Sequence, residues 1–118
     1  MKILICESEE VLLMAIEFRL RKQGYEVQIC KKEEDLASVV RTYAPNVVLI
    51  DLDSGKGKGL DLVNTVKDTR PNSGVLLLAD PDEEEKIFEG FRIGMEDFIS
   101  KPFKPAELLL RVQRIVGE

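Results

Sequence analysis

The sequence predicts an α/β fold: one parallel sheet with helices on both faces. Two observations carry that prediction. Five short runs rich in Val, Ile and Leu alternate with longer amphipathic stretches, and two of the runs, Val47-Val48-Leu49-Ile50 and Val75-Leu76-Leu77-Leu78, are apolar without a break. A strand apolar at every position is covered on both faces, as in the middle of a parallel sheet. Strands that alternate with helices return through right-handed crossovers, which leaves few other topologies.

Ile3-Leu4-Ile5-Cys6 is too short for a helix and is followed at once by acids, so it reads as the first strand. Val11, Leu12, Ala15, Ile16, Phe18 and Leu20 then recur at helical spacing, and Gly24 suits the position just past a helix end. Tyr25, Val27 and Ile29 alternate with polar residues, the period of a half-buried strand. Leu36, Val39, Val40 and Tyr43 mark a second helix, which must stop before Pro45. The stretch from Leu52 to Gly59 holds three glycines and is expected to be a mobile loop.

Leu60, Val63 and Val66 mark a third helix ending near Arg70-Pro71. Pro81-Asp82-Glu83-Glu84-Glu85 reads as the solvated start of a fourth, because early proline and first-turn acids suit a helix N-terminus. That helix runs through Ile87, Phe88 and Phe91 to Gly94, and Phe88, Phe91 and Phe98 are expected in the core. Phe98-Ile99 is a brief strand, and Pro105 opens a last helix carrying Leu108, Leu109, Val112, Ile115 and Val116.

The 118 residues form one expected domain, 1–118, long enough to bury a real core. Hydrophobic residues at 44% and charged residues at 33% fit a globular chain. No apolar run approaches the roughly 20 residues a bilayer requires, and the start lacks the pattern of a signal peptide, so a cytoplasmic location without membrane contact is expected. The net charge of −5 argues against a nucleic-acid surface. Cys6 and Cys30 lie in apolar stretches without CxxC spacing, and are expected as buried free thiols of a reduced compartment. The absence of histidine excludes imidazole-dependent triads and His-ligated zinc.

In such sheets the ligand crevice lies at the carboxyl ends of the strands. The residues there are Glu7 and Ser8, Asp51 to Asp53, Ala79 and Asp80, and Ser100 and Lys101. A strand-end carboxylate can attack a phosphoryl group and form an acyl phosphate. Because anion meets anion, the step needs a divalent cation on carboxylates and backbone oxygens, and a lysine on the phosphoryl oxygens. Ser8 followed by acids also suits a helix N-cap, an equally open reading. Gly55-Lys56-Gly57-Lys58-Gly59 lacks the spacing and the Ser/Thr of a P-loop. Asp51-Leu52-Asp53 resembles the first motif of haloacid-dehalogenase-type phosphatases, but no later acidic pair in a Gly-Asp context and no cap insertion follow.

Three stretches together carry a more specific resemblance. Lys2-Ile3-Leu4-Ile5 followed by acids, Asn46-Val47-Val48-Leu49-Ile50-Asp51 and Lys101-Pro102-Phe103, with Gly94 to Ser100 before the lysine, resemble the signature stretches of response-regulator receiver domains across nearly the whole chain. The resemblance implies a flavodoxin-like (βα)5 fold with strand order 2-1-3-4-5 and Asp51 as phosphoacceptor. It implies Lys101 as the phosphate-sensing lysine, with a cis bond to Pro102, and Phe98 as the aromatic switch position. Mg²⁺ would be held by Glu7, Asp51 and the backbone carbonyl of Asp53. Partners would be a histidine kinase or phosphotransfer protein, and a protein or second copy on helix 4, strand 5 and helix 5. Such a domain is a signalling module, not an enzyme.

Two positions depart from the family pattern. Ser8 stands where the second metal-binding acid is usual, and Ala79 where a Thr or Ser donates to the phosphoryl group. Removing a metal-binding carboxylate should cost at least the 10–100-fold seen for outer-shell changes, and one missing donor about 10²–10³ in rate. Ser100 is expected to be unable to substitute, its side chain pointing to the opposite sheet face. Asp51→Asn is expected to be neutral or slightly stabilising, by relieving repulsion among acids.

Overall fold

β1 (Lys2–Cys6), β2 (Glu26–Ile29), β3 (Val47–Asp51), β4 (Gly74–Ala79) and β5 (Asp97–Ser100) pair in parallel, in the order β2-β1-β3-β4-β5. The expected flavodoxin-like order is therefore the one found. The structure is a computed structural model and describes residues 1–53 and 57–117. Among the described residues, four helices connect the strands, α1 (Glu10–Lys22), α2 (Leu36–Tyr43), α3 (Gly59–Thr69) and α4 (Glu84–Ile93), and a fifth, α5 (Pro105–Val116), follows β5. A short 3₁₀ turn, Glu33–Asp35, leads into α2.

Alternation along β1 divides the core in two. Ile3 and Ile5 pack with Ile16 and Leu20 of α1 and Leu108 and Val112 of α5. Leu4 and Cys6 face the other way, onto Leu36 and Val40 of α2, Val63 and Val66 of α3 and Ile87 of α4. The two unbroken apolar runs are buried throughout, as their sequence requires. Gly24 has φ +98° and closes α1, and Ala44 (φ 51°) ends α2 one residue ahead of Pro45.

Several apolar residues lie where periodicity did not put them. Phe18 is 70% and Val11 75% exposed, and with Met14 they line the outer face of α1. Ile16 and Leu20 meet the sheet, and Phe18, two residues from each, is turned about 200° away. Phe88 and Phe91 are exposed rather than core, because α4 turns Ile87 and Gly90 inward. A Cβ on Gly90 would come 2.6 Å from Met95 Sδ, so the helix lies close over that side chain. Phe98 is half-buried, edge-on to Phe91 with ring centroids 6.0 Å apart.

The fourth helix begins at Glu84 rather than at Pro81, since Asp80 to Glu83 form a turn closed by the Glu83 N–H on the Asp80 carbonyl at 3.1 Å. Gly55 and Lys56 of the glycine-rich loop, and with them much of its expected mobility, lie outside the described residues. Among those described, no helix is long and apolar enough to cross a membrane. Cys6 and Cys30 are buried and form no disulfide, as expected.

Candidate functional site

β3 ends on Asp51, which is only 2% exposed although it stands at the carboxyl edge of the sheet. Register sets it opposite Leu78, so the strand-end carboxylate sits between the tips of β1 and β4. Its Oδ1 accepts the Asp53 N–H at 2.8 Å, and its Oδ2 is ion-paired with the Lys101 ammonium. Lys101 reaches it from just beyond β5, where the Lys101 N–H bonds the Ala79 carbonyl at 2.9 Å and the bond to Pro102 is cis. The expected convergence of Asp51 and Lys101 is present.

Glu7 completes the cluster. It is 8% exposed, and its Oε2 accepts the N–H groups of Ser8 at 2.8 Å and Glu9 at 3.3 Å. Its Oε1 is buried with no hydrogen-bond partner among the described residues. Burial, and then the adjacent Asp51 carboxylate, raise its pKa from 4.5 to about 7. Burial pushes the Asp51 pKa upward, but the neighbouring Glu7, the Lys101 ammonium and the Asp53 N–H outweigh it, leaving the carboxyl below its ordinary value. Burial pulls the Lys101 pKa down, and the bond and charge of Asp51 more than restore it. The Asp51 charge is thus stabilised in the fold. The pairing with Lys101 weighs against the expectation that Asp51→Asn is neutral or slightly stabilising.

A buried carboxylate oxygen with nothing to accept from, beside a second carboxylate, fits a divalent cation. Glu7, Asp51 and the Asp53 carbonyl would hold it. That carbonyl accepts the Gly57 N–H at 3.1 Å and keeps a second lone pair. Ser8 is exposed and is not the helix cap. The N-cap position is Glu9, without a side-chain cap bond, and Glu7 accepts from the two amides ahead of the helix, those of Ser8 and Glu9.

Ala79 is buried at the end of β4 and brings no hydroxyl. Ser100 is its register partner, and paired residues of parallel strands share a face. The expected opposite orientation is corrected. Ser100 lines a groove with Pro81, Phe88, Phe91 and Phe98, whereas a separate hollow beside Lys101 is lined by Leu12, Asp80, Pro102 and Phe103. Sequence reading missed Glu83. Its side chain turns back so that the Asp80 N–H donates to its Oε1 at 3.0 Å, and the carboxylates of Asp53, Asp80 and Glu83 lie within 4.8 Å of one another. Only the turn before α4 creates that approach, and residue spacing alone carries no signal of it.

Fold and strand-end site define a doubly wound, flavodoxin-like domain whose pocket joins buried carboxylates to one lysine. The sequence profile of the response regulator receiver domain matches residues 3–113. The chain belongs to that family, the receiver domains of two-component signalling. It is 27% identical over 115 residues to the alkaline phosphatase synthesis transcriptional regulatory protein PhoP of Bacillus subtilis (strain 168), covering 98% of this chain and 48% of the relative. The chain therefore spans about half the length of that curated relative. Among solved structures it resembles the BeF₃-activated DrrB receiver domain, with TM-score 0.86 and 29% identity over 99% of this chain and 97% of that one. A candidate response regulator of Chloroflexus aurantiacus J-10-fl superposes with TM-score 0.89 at 25% identity, covering 99% and 98%. Family and strand order together set aside the haloacid-dehalogenase alternative.

Proposed function

We propose that this chain is an atypical receiver module in which Asp51 is the phosphoacceptor and in which metal binding and the response to phosphorylation are both weakened. The observation that carries the reading is the buried Asp51–Lys101 ion pair with the unpartnered Glu7 Oε1 beside it. An Asp51 oxygen attacks the phosphorus of a histidine kinase's or phosphotransfer protein's phosphoryl group, and the donor's bond to phosphorus breaks. Lys101, already on Asp51, moves onto the phosphoryl oxygens and balances their charge. Mg²⁺, when bound, neutralises charge between the two reacting anions. Glu7 must lose its proton to serve that ion.

The weakening rests on two side chains. Ser8 gives no carboxylate, and Ala79 gives no hydroxyl to draw toward the phosphoryl group. Without that donor, phosphorylation has little leverage on Phe98, which lies two residues along β5 from the Ala79 register partner. The same domain acts by binding rather than by turnover, in the cytoplasm, with no nucleic-acid or membrane surface of its own. The face formed by α4, β5 and α5 takes a protein partner or a second copy. Exposed Phe88 and Phe91 beside a groove of about 240 Å³ support that assignment.

The test is incubation with Mg²⁺ and a small acyl-phosphate donor, followed by intact mass. A partial gain of about 80 Da, one phosphoryl group, absent in Asp51→Asn is expected. A stoichiometric adduct at low Mg²⁺ would instead favour a conventional receiver. No adduct at any Mg²⁺ concentration removes the phosphoacceptor role.

A further inference from the structure

The function above makes no use of the two cysteines, yet the topology brings them together. β1 and β2 are adjacent parallel strands with Ile5 paired to Ile29, and the Cys30 N–H donates to the Ile5 carbonyl at 2.9 Å. Cys6 and Cys30 are therefore the next pair in register. Both side chains belong to the core on the α2 side, so they project from the same face of the sheet. Neighbouring strands lie about 4.8 Å apart, inside the range of about 4.4–6.8 Å over which α-carbons are bridged by a disulfide.

The pair also has access. Both thiols line a cavity of about 70 Å³ bounded by Glu7, Ser8, Lys31 and Glu33, at the sheet edge beside the phosphoacceptor pocket. About 10–15 Å³ of such space holds one water, so the cavity has room for a molecule the size of hydrogen peroxide. Cys30 Sγ is held there by a hydrogen bond to the Lys32 carbonyl at 3.2 Å. A hydrogen bond from the Cys6 thiol lowers the Cys30 pKa below its ordinary value. That favours Cys30 as the first sulfur to react.

We propose that Cys6 and Cys30 are a peroxide-reactive dithiol, reduced at rest and closed to an intrachain disulfide by hydrogen peroxide. The Cys30 thiolate attacks one peroxide oxygen, the O–O bond breaks, and hydroxide leaves as the sulfenic acid forms. The Cys6 sulfur then displaces the sulfenic hydroxyl, which departs as water with the Cys6 proton. Two electrons pass from the two sulfurs to one peroxide, and two waters result. The bond ties β1 to β2 one residue before Glu7, which places an oxidisable clamp next to the acceptor site.

The test uses the whole chain, reduced and then exposed to hydrogen peroxide. Intact mass should fall by about 2 Da, both thiols should become unreactive to alkylation after unfolding, and a reductant should reverse both effects. Non-reducing peptide mapping should join the peptides of Cys6 and Cys30 within one chain. In Cys6→Ser, dimedone should trap a sulfenic acid on Cys30, while Cys30→Ser should trap far less on Cys6. Retention of two alkylatable thiols overturns the proposal. So do oxygen adducts of about 16 or 32 Da without a cross-link, or a bond only between chains.

Discussion

Glu7 offers the sharpest test of the site's electrostatics. Its carboxyl is raised from 4.5 to about 7 in the folded chain, first by burial and then by Asp51. Between those two values the folded state holds a proton that the unfolded chain has released. Stability therefore falls as pH rises through that window and levels off above it. The full displacement corresponds to at most about 3.5 kcal/mol, at about 1.4 kcal/mol per pH unit, and solvent at the open side of the pocket reduces this to about 1–2 kcal/mol. Asp51 does not obscure the effect. Its lowered pKa contributes stability present above its unfolded value of 3.8, lost only as pH falls further. Glu7→Gln keeps the shape and removes the titration. In EDTA, urea unfolding at about pH 5.5 and about pH 8 should show wild type losing about 1–2 kcal/mol while the variant stays flat. Parallel pH profiles for the two proteins would refute the reasoning.

Restoring the missing groups should reverse the weakening: Ser8→Asp with Ala79→Thr should tighten Mg²⁺ binding at least 10–100-fold by calorimetry and speed phosphorylation, and no gain would sink the account of both departures. Gly59→Ala should cost about 1–3 kcal/mol in chemical denaturation, because its Cβ would meet the Leu52 carbonyl oxygen at 2.5 Å and backbone there cannot yield as a side-chain tip does. Leu77→Ala should cost about 2–5 kcal/mol by the same measurement, since Leu77 is fully buried in the middle of β4. A loss below about 1 kcal/mol would mean that the core closes around the cavity.

The legible part of the fold was the part encoded along the chain. Unbroken apolar runs at Val47–Ile50 and Val75–Leu78 specify strands covered on both faces, and the alternation with helices leaves little topological choice. Asp51 and Lys101 were legible for the same reason, since residues that end parallel strands meet at one edge. The faces of α1 and α4 were not. Both helices carry apolar residues around more than one side, and only docking on the sheet selected Ile16 and Leu20 over Phe18, and Ile87 over Phe88 and Phe91.

Site details divided along the same line. Sequence by itself determined which chemical groups the pocket contains: the Glu7 and Asp51 acids, the Lys101 ammonium, a hydroxyl in place of an acid at Ser8 and a methyl at Ala79. Tertiary structure decided what those groups do to one another. It buried Glu7 Oε1 without a partner, turned Glu83 back toward Asp80 and Asp53, and set Ser100 on the Ala79 face. Periodicity along a chain fixes which side of an element is apolar, whereas distance between residues far apart in sequence is set by sheet register and turn geometry. Charge and hydrogen bonding depend on that distance.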